Sequence, residues 1–391
     1  MIEIGPEKMR ILFVDDEPSI LSGLRSLLHR QRKDWEMVFA LGGEQALEQL
    51  ETSQFHVVVT DMRMPKIDGA QLLQMVQERW PSTCRIVLSG HAEREAMLRV
   101  LPAMHVFLAK PCDPKTLRTA IDRCLTVSTF TDDPALRALI GRVDKLPSPP
   151  RLYSTLTKLA DDPRTSLDEV SRAISTDTAF AAKVMQIANS AAFGEAETTS
   201  LPRAIHYLGL ELLRTIALST SIYAPPSGPP LPFSLERMQD VALRAAGLAR
   251  RYVRNPALAD IAFVTALLHD VGRLVLALGL PGDYAAMAKE CLATGESVWV
   301  VERRHFGADH ARVGACLLQM WGLPQIIVDA VAAHHEPRGC IGDLAEVVAA
   351  VHVADAVSGE DDPTPVDLEF LHESGFASEL EGWLELARPE S

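Results

Sequence analysis

Four apolar runs in the first 125 residues each end in a side chain able to do chemistry. Asp15 and Asp16 follow Ile11-Leu12-Phe13-Val14, and Asp61 closes the run that begins Val57-Val58-Val59. Ser89 follows Ile86-Val87-Leu88, and Lys110 follows Val106-Phe107-Leu108. Three carboxylates brought together repel one another unless a hard divalent cation sits among them, and oxygen ligands with retained waters suit Mg²⁺. A carboxylate beside such a cation and a Lys ammonium can accept a phosphoryl group, because both cations neutralise charge on the transferring oxygens. Taken singly, each acid reads as a loop residue or helix cap. Their recurrence at run after run points to one site.

A second set lies further along. His269-Asp270 stands in Ala266-Leu267-Leu268-His269-Asp270-Val271-Gly272-Arg273, followed by His310, by His334-His335, and by Asp355 three residues after His352. Imidazoles and carboxylates from several helices could build a metal site that activates water for phosphoester hydrolysis. The alternative makes them satisfied polar groups tying helices together, with His334-His335 near a surface turn before Pro337.

The elements that must position these residues follow from periodicity. The apolar runs, with a weaker one at Met37-Val38-Phe39, alternate with helical pattern. Ile20, Leu21, Leu24, Leu27 and Leu28 fall on one helical face, and similar stretches occur near 43–50, 70–79, 92–101 and 114–125. Five such units predict a doubly wound α/β fold with a five-stranded parallel sheet, whose ligands bind beyond the carboxyl ends of the strands. From about Asp132 to Ser358 the chain is Ala/Leu-rich and reads as all-α. The proline-rich stretch from Pro225 to Pro232 cannot be helix and separates two helical lobes. The segment 359–391 holds ten acidic residues against one basic, and Leu368, Phe370, Leu371, Phe376, Leu380, Trp383, Leu384 and Leu386 equip part of it to dock as a helix.

The 391 residues carry 38 basic and 52 acidic side chains, a net charge of −14 with no basic block. That balance argues against a nucleic-acid binder; Arg244, Arg250, Arg251 and Arg254 cluster on one helix and read as a solvated face. The six cysteines are widely spaced with no C-x-x-C pair, which fits a reducing compartment and small core residues. No signal-like start and no uninterrupted apolar run of membrane-spanning length is present, so a cytoplasmic protein is expected.

Residues 9–125 resemble the receiver domain of bacterial two-component response regulators. The motifs are Val14-Asp15-Asp16-Glu17, Asp61-Met62-Arg63-Met64-Pro65 with Asp68-Gly69, Leu88-Ser89-Gly90 and Lys110-Pro111. The resemblance implies Asp61 as phosphoacceptor and Asp16, Asp61 and the Arg63 carbonyl as Mg²⁺ ligands, with Asp15 behind them. It also implies Ser89 as the hydroxyl that bonds the phosphoryl group, Lys110 as charge partner and Phe107 as an aromatic switch.

Residues 233–358 resemble the HD superfamily of metal-dependent phosphohydrolases. Val241 occupies the place of that family's first histidine, and the Gly-Tyr-Pro signature of the cyclic di-GMP-hydrolysing branch is replaced by Pro337-Arg338-Gly339-Cys340. The resemblance therefore implies a degenerate site of His269, Asp270, His310, His334 and Asp355, in which a bound transition metal is doubtful. Leu146-Pro147-Ser148-Pro149-Pro150, Ile174-Ser175-Thr176-Asp177, the stretch from Val184 to Ala191, Ala204-Ile205-His206-Tyr207-Leu208-Gly209, the stretch from Gly307 to Ala315 and Trp321-Gly322-Leu323-Pro324 resemble the HDOD family. That family is all-helical and regarded as a non-catalytic output module. Asn189 reads as a structural amide.

The expected plan is a receiver over 1–127, an HDOD domain over 140–356 with lobes of about 140–224 and 233–356, and an acidic tail over 359–391. The expected function is phosphorelay from a sensor histidine kinase to a downstream protein, without catalysis and with homodimerisation on phosphorylation as an open option. The alternative is a receiver-gated phosphohydrolase acting on a nucleotide or cyclic dinucleotide.

Overall fold

The computed structural model describes residues 8–29, 34–90, 100, 103–125, 133–141, 155–156, 159, 165–189, 198–210, 213, 231–359 and 365–388. Internal contacts divide the chain into two compact units, Met1–Asp144 and the bulk of Lys145–Ser391. Apart from Val100, the helix expected near 92–101 lies outside the described residues, as do the Leu146–Pro150 motif and most of the proline-rich linker.

In the first unit the apolar runs are strands: β1 (Met9–Asp15), β2 (Trp35–Leu41), β3 (Val57–Asp61), β4 (Cys84–Gly90) and β5 (Val106–Lys110). They form one parallel sheet in the order β2-β1-β3-β4-β5. Ile11, Leu12, Phe13, Val57, Val58, Ile86 and Val87 are fully buried, as strands covered on both faces must be. The order reverses beside β1, so the segments leaving β1 and β3 diverge and open a crevice at their carboxyl ends.

The helices described in this unit are α1 (Pro18–Leu27), α2 (Gly43–Thr52), α3 (Gly69–Arg79), α4 (Pro114–Leu125) and α5 (Pro134–Gly141). In α4, Leu117, Ala120, Ile121 and Cys124 form the buried stripe, spaced as one helical face requires. Asp68 caps α3 in a reciprocal box with Gln71. The next residue must be glycine, since a Cβ on Gly69 would stand 2.2 Å from the Asp61 carbonyl oxygen. That contact seats α3 directly against the end of β3.

The described remainder of the second unit contains no strand. Its first helices are α6 (Leu167–Ser175), α7 (Thr178–Ala188) and α8 (Leu201–Leu208). Every residue of α7 is buried. Asn189 ends α7 and brackets Thr198, its amide donating to the Thr198 carbonyl at 3.0 Å and its oxygen accepting from the Thr198 N–H at 2.8 Å. This is the structural role expected of it.

The larger helical group is α9 (Leu235–Tyr252), α10 (Ala259–Leu268), α11 (Val271–Gly279), α12 (Pro281–Thr294), α13 (Val298–Phe306), α14 (His310–Met320), α15 (Gln325–Ala333) and α16 (Gly342–Ser358). Helix α9 packs on α10 and α16. The stretch Pro256–Gly279 has the length and mean hydropathy, 1.8, of a membrane span, but 78% of its most apolar window is buried in this core. Two short helices follow, α17 (Leu368–Glu373) and α18 (Leu380–Leu386).

Candidate functional site

In the first unit, Asp15, Asp61 and Lys110 meet at the carboxyl end of the sheet. Lys110 Nζ lies 2.9 Å from Asp15 Oδ2 and also pairs with Asp61 Oδ1. Asp15 Oδ1 accepts the Glu17 N–H at 2.9 Å, and Asp61 Oδ2 accepts the Arg63 N–H at 2.7 Å. Asp15 and Asp61 are buried, Asp16 is half-buried beside them, and Arg63 is exposed in the loop that follows. Burial works against the Lys110 ammonium, yet its hydrogen bonds to Asp61 and Asp15 outweigh burial and raise its pKa. Ser89 and Phe107 are both buried, and the register pairs Ser89 with Ala109, next to Lys110. The strand-end residues singled out in the sequence thus stand at the carboxyl end of the sheet.

The second cluster is assembled from helix ends. His269 closes α10, Asp270 precedes α11, His310 opens α14, His334 closes α15 and Asp355 projects from the last turns of α16. Glycine makes the closest crossing possible: a Cβ on Gly272 of α11 would stand 2.0 Å from the His310 carbonyl oxygen. His269 Nε2 is 3.1 Å from Asp355 Oδ1, and His310 Nε2 is 3.1 Å from Asp270 Oδ1. Among the described residues, His310, His334 and His335 form one group of ligand atoms within 4.8 Å of each other, and His269, His334 and Asp355 form a second.

The outer nitrogens of these rings are tied down. Nδ1 of His269 faces the Ala266 carbonyl at 2.6 Å and Nδ1 of His334 faces the Val331 carbonyl at 2.7 Å; a carbonyl only accepts, so both Nδ1 atoms carry hydrogen. His310 Nδ1 lies 2.6 Å from Glu302 Oε2, whose other oxygen accepts from the Tyr284 hydroxyl at 2.9 Å. This leaves Nε2 of all three rings turned inward, the arrangement typical of metal-binding histidines. His334 Nε2 is buried with no hydrogen-bond partner.

Electrostatics divides the imidazoles. Burial disfavours charge on His269, but Asp270 and Asp355 overcome it and hold the ring at about 9. His310 is raised well above the usual range because Glu302 and Asp270 outweigh its burial. Burial and the charges on His269 and His310 push His334 down to about 4, and burial with the neighbouring rings pushes His335 well below its ordinary value.

The response regulator receiver domain family matches residues 11–122 and the HDOD domain family matches residues 146–337. The chain joins a receiver domain to an HDOD domain. Transcriptional regulatory protein ZraR of Escherichia coli K12 is 28% identical over 204 residues, 48% of this chain and 45% of that protein. YesN of Bacillus subtilis, an uncharacterized transcriptional regulatory protein, is 28% identical over 178 residues, 38% of this chain and 47% of that protein. The chain therefore spans less than half the length of these two relatives. In structure it is similar to the MmoQ response regulator of Methylococcus capsulatus, with TM-score 0.51 and 24% identity over 63% of this chain and 99% of that one. A virulence factor of Campylobacter jejuni gives TM-score 0.54 at 18% identity over 65% of this chain and 96% of that one. These two structures show a shared fold.

Within the HDOD domain the structure adds partners that the sequence did not single out. His335, which one of the two readings of the cluster put near a surface turn, is 8% exposed and stacks on Trp299, and His334 is fully buried. Glu302 and Tyr284 orient His310; Glu302 stands beside Arg303-Arg304, where a lone acid reads as surface. Val241 is half-buried in α9 and lines a cavity of about 490 Å³ with Asp270, Arg273, Phe233, Met238 and Tyr284. Arg273 Nη1 lies 3.2 Å from Asp270 Oδ2, so the carboxylate that also serves His310 is braced on this side by a guanidinium.

Proposed function

We propose that this chain is a phosphorylation-gated signalling protein in which Asp61 of the receiver accepts a phosphoryl group from a sensor histidine kinase. The observation that carries this reading is the Lys110 ammonium shared between Asp61 and the buried Asp15 at the sheet's switch point. An Asp61 oxygen forms the new P–O bond as the P–N bond to the kinase histidine breaks and the imidazole leaves. The Arg63 N–H steadies the other Asp61 oxygen, and Lys110 balances charge on the phosphoryl group. The all-oxygen donor set of Asp16, Asp61 and the Arg63 carbonyl, with Asp15 behind it, fits Mg²⁺, which when bound supplies further neutralisation. Ser89 would then turn toward the phosphoryl oxygens and Phe107 would repack, biasing a pre-existing equilibrium by a few kcal/mol.

On this reading the receiver occupies 1–127, the HDOD domain 140–356 and the tail 359–391, and the protein works in the cytoplasm. The HDOD domain passes the signal by protein contact without catalysis, with dimerisation as one means. Incubation with a small phosphodonor and Mg²⁺, followed by mass spectrometry, tests the central step. An acyl phosphate on Asp61 supports it, and no label, or label elsewhere, overturns it.

A second reading keeps a transition metal, and with it hydrolysis of a nucleotide or cyclic dinucleotide, at the HD-type cluster. It is favoured by the orphaned His334 Nε2 among rings whose Nδ1 atoms are already engaged. Imidazole nitrogen with carboxylate oxygen is a donor set that suits such a metal. Val241, which offers no ligand, counts against it. Metal stoichiometry after exhaustive desalting decides: metal retained by the native chain and lost in Asp270→Ala supports this reading, and none retained removes it.

A further inference from the structure

Residues 365–388 lie beyond the HDOD family match, which ends at residue 337, and yet they are bound into the same unit as the His cluster. Phe370, Leu371, Phe376 and Trp383 are buried. Trp383 stacks on Tyr252 of α9 with ring centroids 5.0 Å apart, and the Tyr252 hydroxyl donates to the Trp383 carbonyl at 2.8 Å. Arg254 adds an ion pair to Glu379 at 2.7 Å and lies over the Phe376 ring.

At its other end this segment reaches the turn that carries the cluster. Arg338, three residues beyond His335, pairs with Asp367 at 2.7 Å. The Asp367 N–H donates to His352 Nε2 at 2.8 Å, and His352 Nδ1 faces the His334 carbonyl at 2.7 Å. A backbone N–H only donates and a carbonyl only accepts, so His352 must be neutral with its hydrogen on Nδ1. It is buried, in α16, and spends both nitrogens on joining the C-terminal segment to the backbone of a cluster residue.

We propose that residues 365–388 are a strap whose docking sets the position of His334, with His352 as the positioning residue that transmits it. The proposal builds on the reading of the cluster as a metal site, because it is metal affinity that the strap would tune. Release of the strap leaves His352 without its donor, frees the ring to flip or change tautomer, and loosens the turn holding His334 and His335.

The test uses the full chain and two substitutions at one residue. Asp367→Ala removes the carboxylate and keeps the N–H. Asp367→Pro removes both, and the φ of −75° at this position is one that proline adopts. Co²⁺ alone is titrated by its visible absorption, and the His352 ring nitrogens are followed by ¹⁵N NMR in the metal-free protein. The proline variant is expected to bind Co²⁺ about tenfold more weakly than the alanine variant, the size usual for a residue supporting a ligand. It is also expected to lose the Nδ1–H signature of His352, which Asp367→Ala retains. His352→Phe, which breaks the same link from the cluster side while leaving the Tyr252–Trp383 and Arg254–Glu379 anchors of the strap in place, should show the same loss of affinity. Proline and alanine variants alike in both readouts overturn the proposal. If the native chain takes up no Co²⁺, the metal reading fails, and the NMR comparison still decides whether the strap holds His352.

Discussion

His310 and His335 meet edge to face with their Nε2 atoms 2.8 Å apart. Two ring nitrogens at that distance share one proton, and the donor is His310, since Glu302 and Asp270 favour its charged form while His335 is held neutral. In the metal-free protein the buried carboxylates are therefore balanced by imidazolium protons on His269 and His310. A metal entering the cluster must displace them, so uptake should release protons into a weakly buffered solution.

Those protons make the stability of chelator-treated protein depend on pH. His269 has a folded-state pKa of about 9 against 6.5 for the free side chain. Its contribution is complete below pH 6.5 and is lost as pH rises through about 9. The urea midpoint should fall across this window, and His269→Gln should flatten that part of the profile. A midpoint that rises over the same range would contradict the assignment.

Asp61→Asn should abolish labelling by a small phosphodonor with Mg²⁺ while leaving the circular dichroism spectrum unchanged. A Phos-tag gel reads the outcome directly, and persistent labelling would place the phosphoacceptor elsewhere.

Two glycines to alanine should act in opposite directions. Gly272→Ala drives a methyl into the His310 carbonyl and should cost about 1–3 kcal/mol in urea unfolding. Gly247, within α9, faces open space, and its replacement by alanine should stabilise the helix by up to about 1 kcal/mol. Equal effects at the two sites would mean that the α11–α14 crossing is not as close as described.

Trp383→Ala should cost about 3–5 kcal/mol, the usual range for a large aromatic removed from a packed site. Protease cleavage within 365–388, monitored by mass spectrometry, should accelerate in parallel. Unchanged cleavage would show that the strap does not depend on this anchor.

The strand ends were legible because a strand buried on both faces has little choice but to be apolar, so Val57-Val58-Val59 and Val106-Phe107-Leu108 advertise the residues that close them. The order β2-β1-β3-β4-β5 was not, since an apolar run does not say which neighbour it pairs with. Arg244, Arg250, Arg251 and Arg254 read as a solvated face, and all four are exposed. What local periodicity cannot reveal is their partners more than a hundred positions away: Arg244 donates to the Ala387 carbonyl at 3.2 Å, and Arg254, two residues past the end of α9, pairs with Glu379. Pro337 left His334-His335 readable as a surface turn as well as site residues; their burial is decided by the helices packed over them.

The Tyr252–Trp383 stack spans 131 positions of sequence. Chain synthesis runs from the N-terminus, so Tyr252 at the end of α9 emerges long before its cover and lacks it until residues 365–388 have been made. The late arrival of the strap leaves an interval in which the nascent domain is exposed to aggregation, and in which a chaperone would find an apolar target.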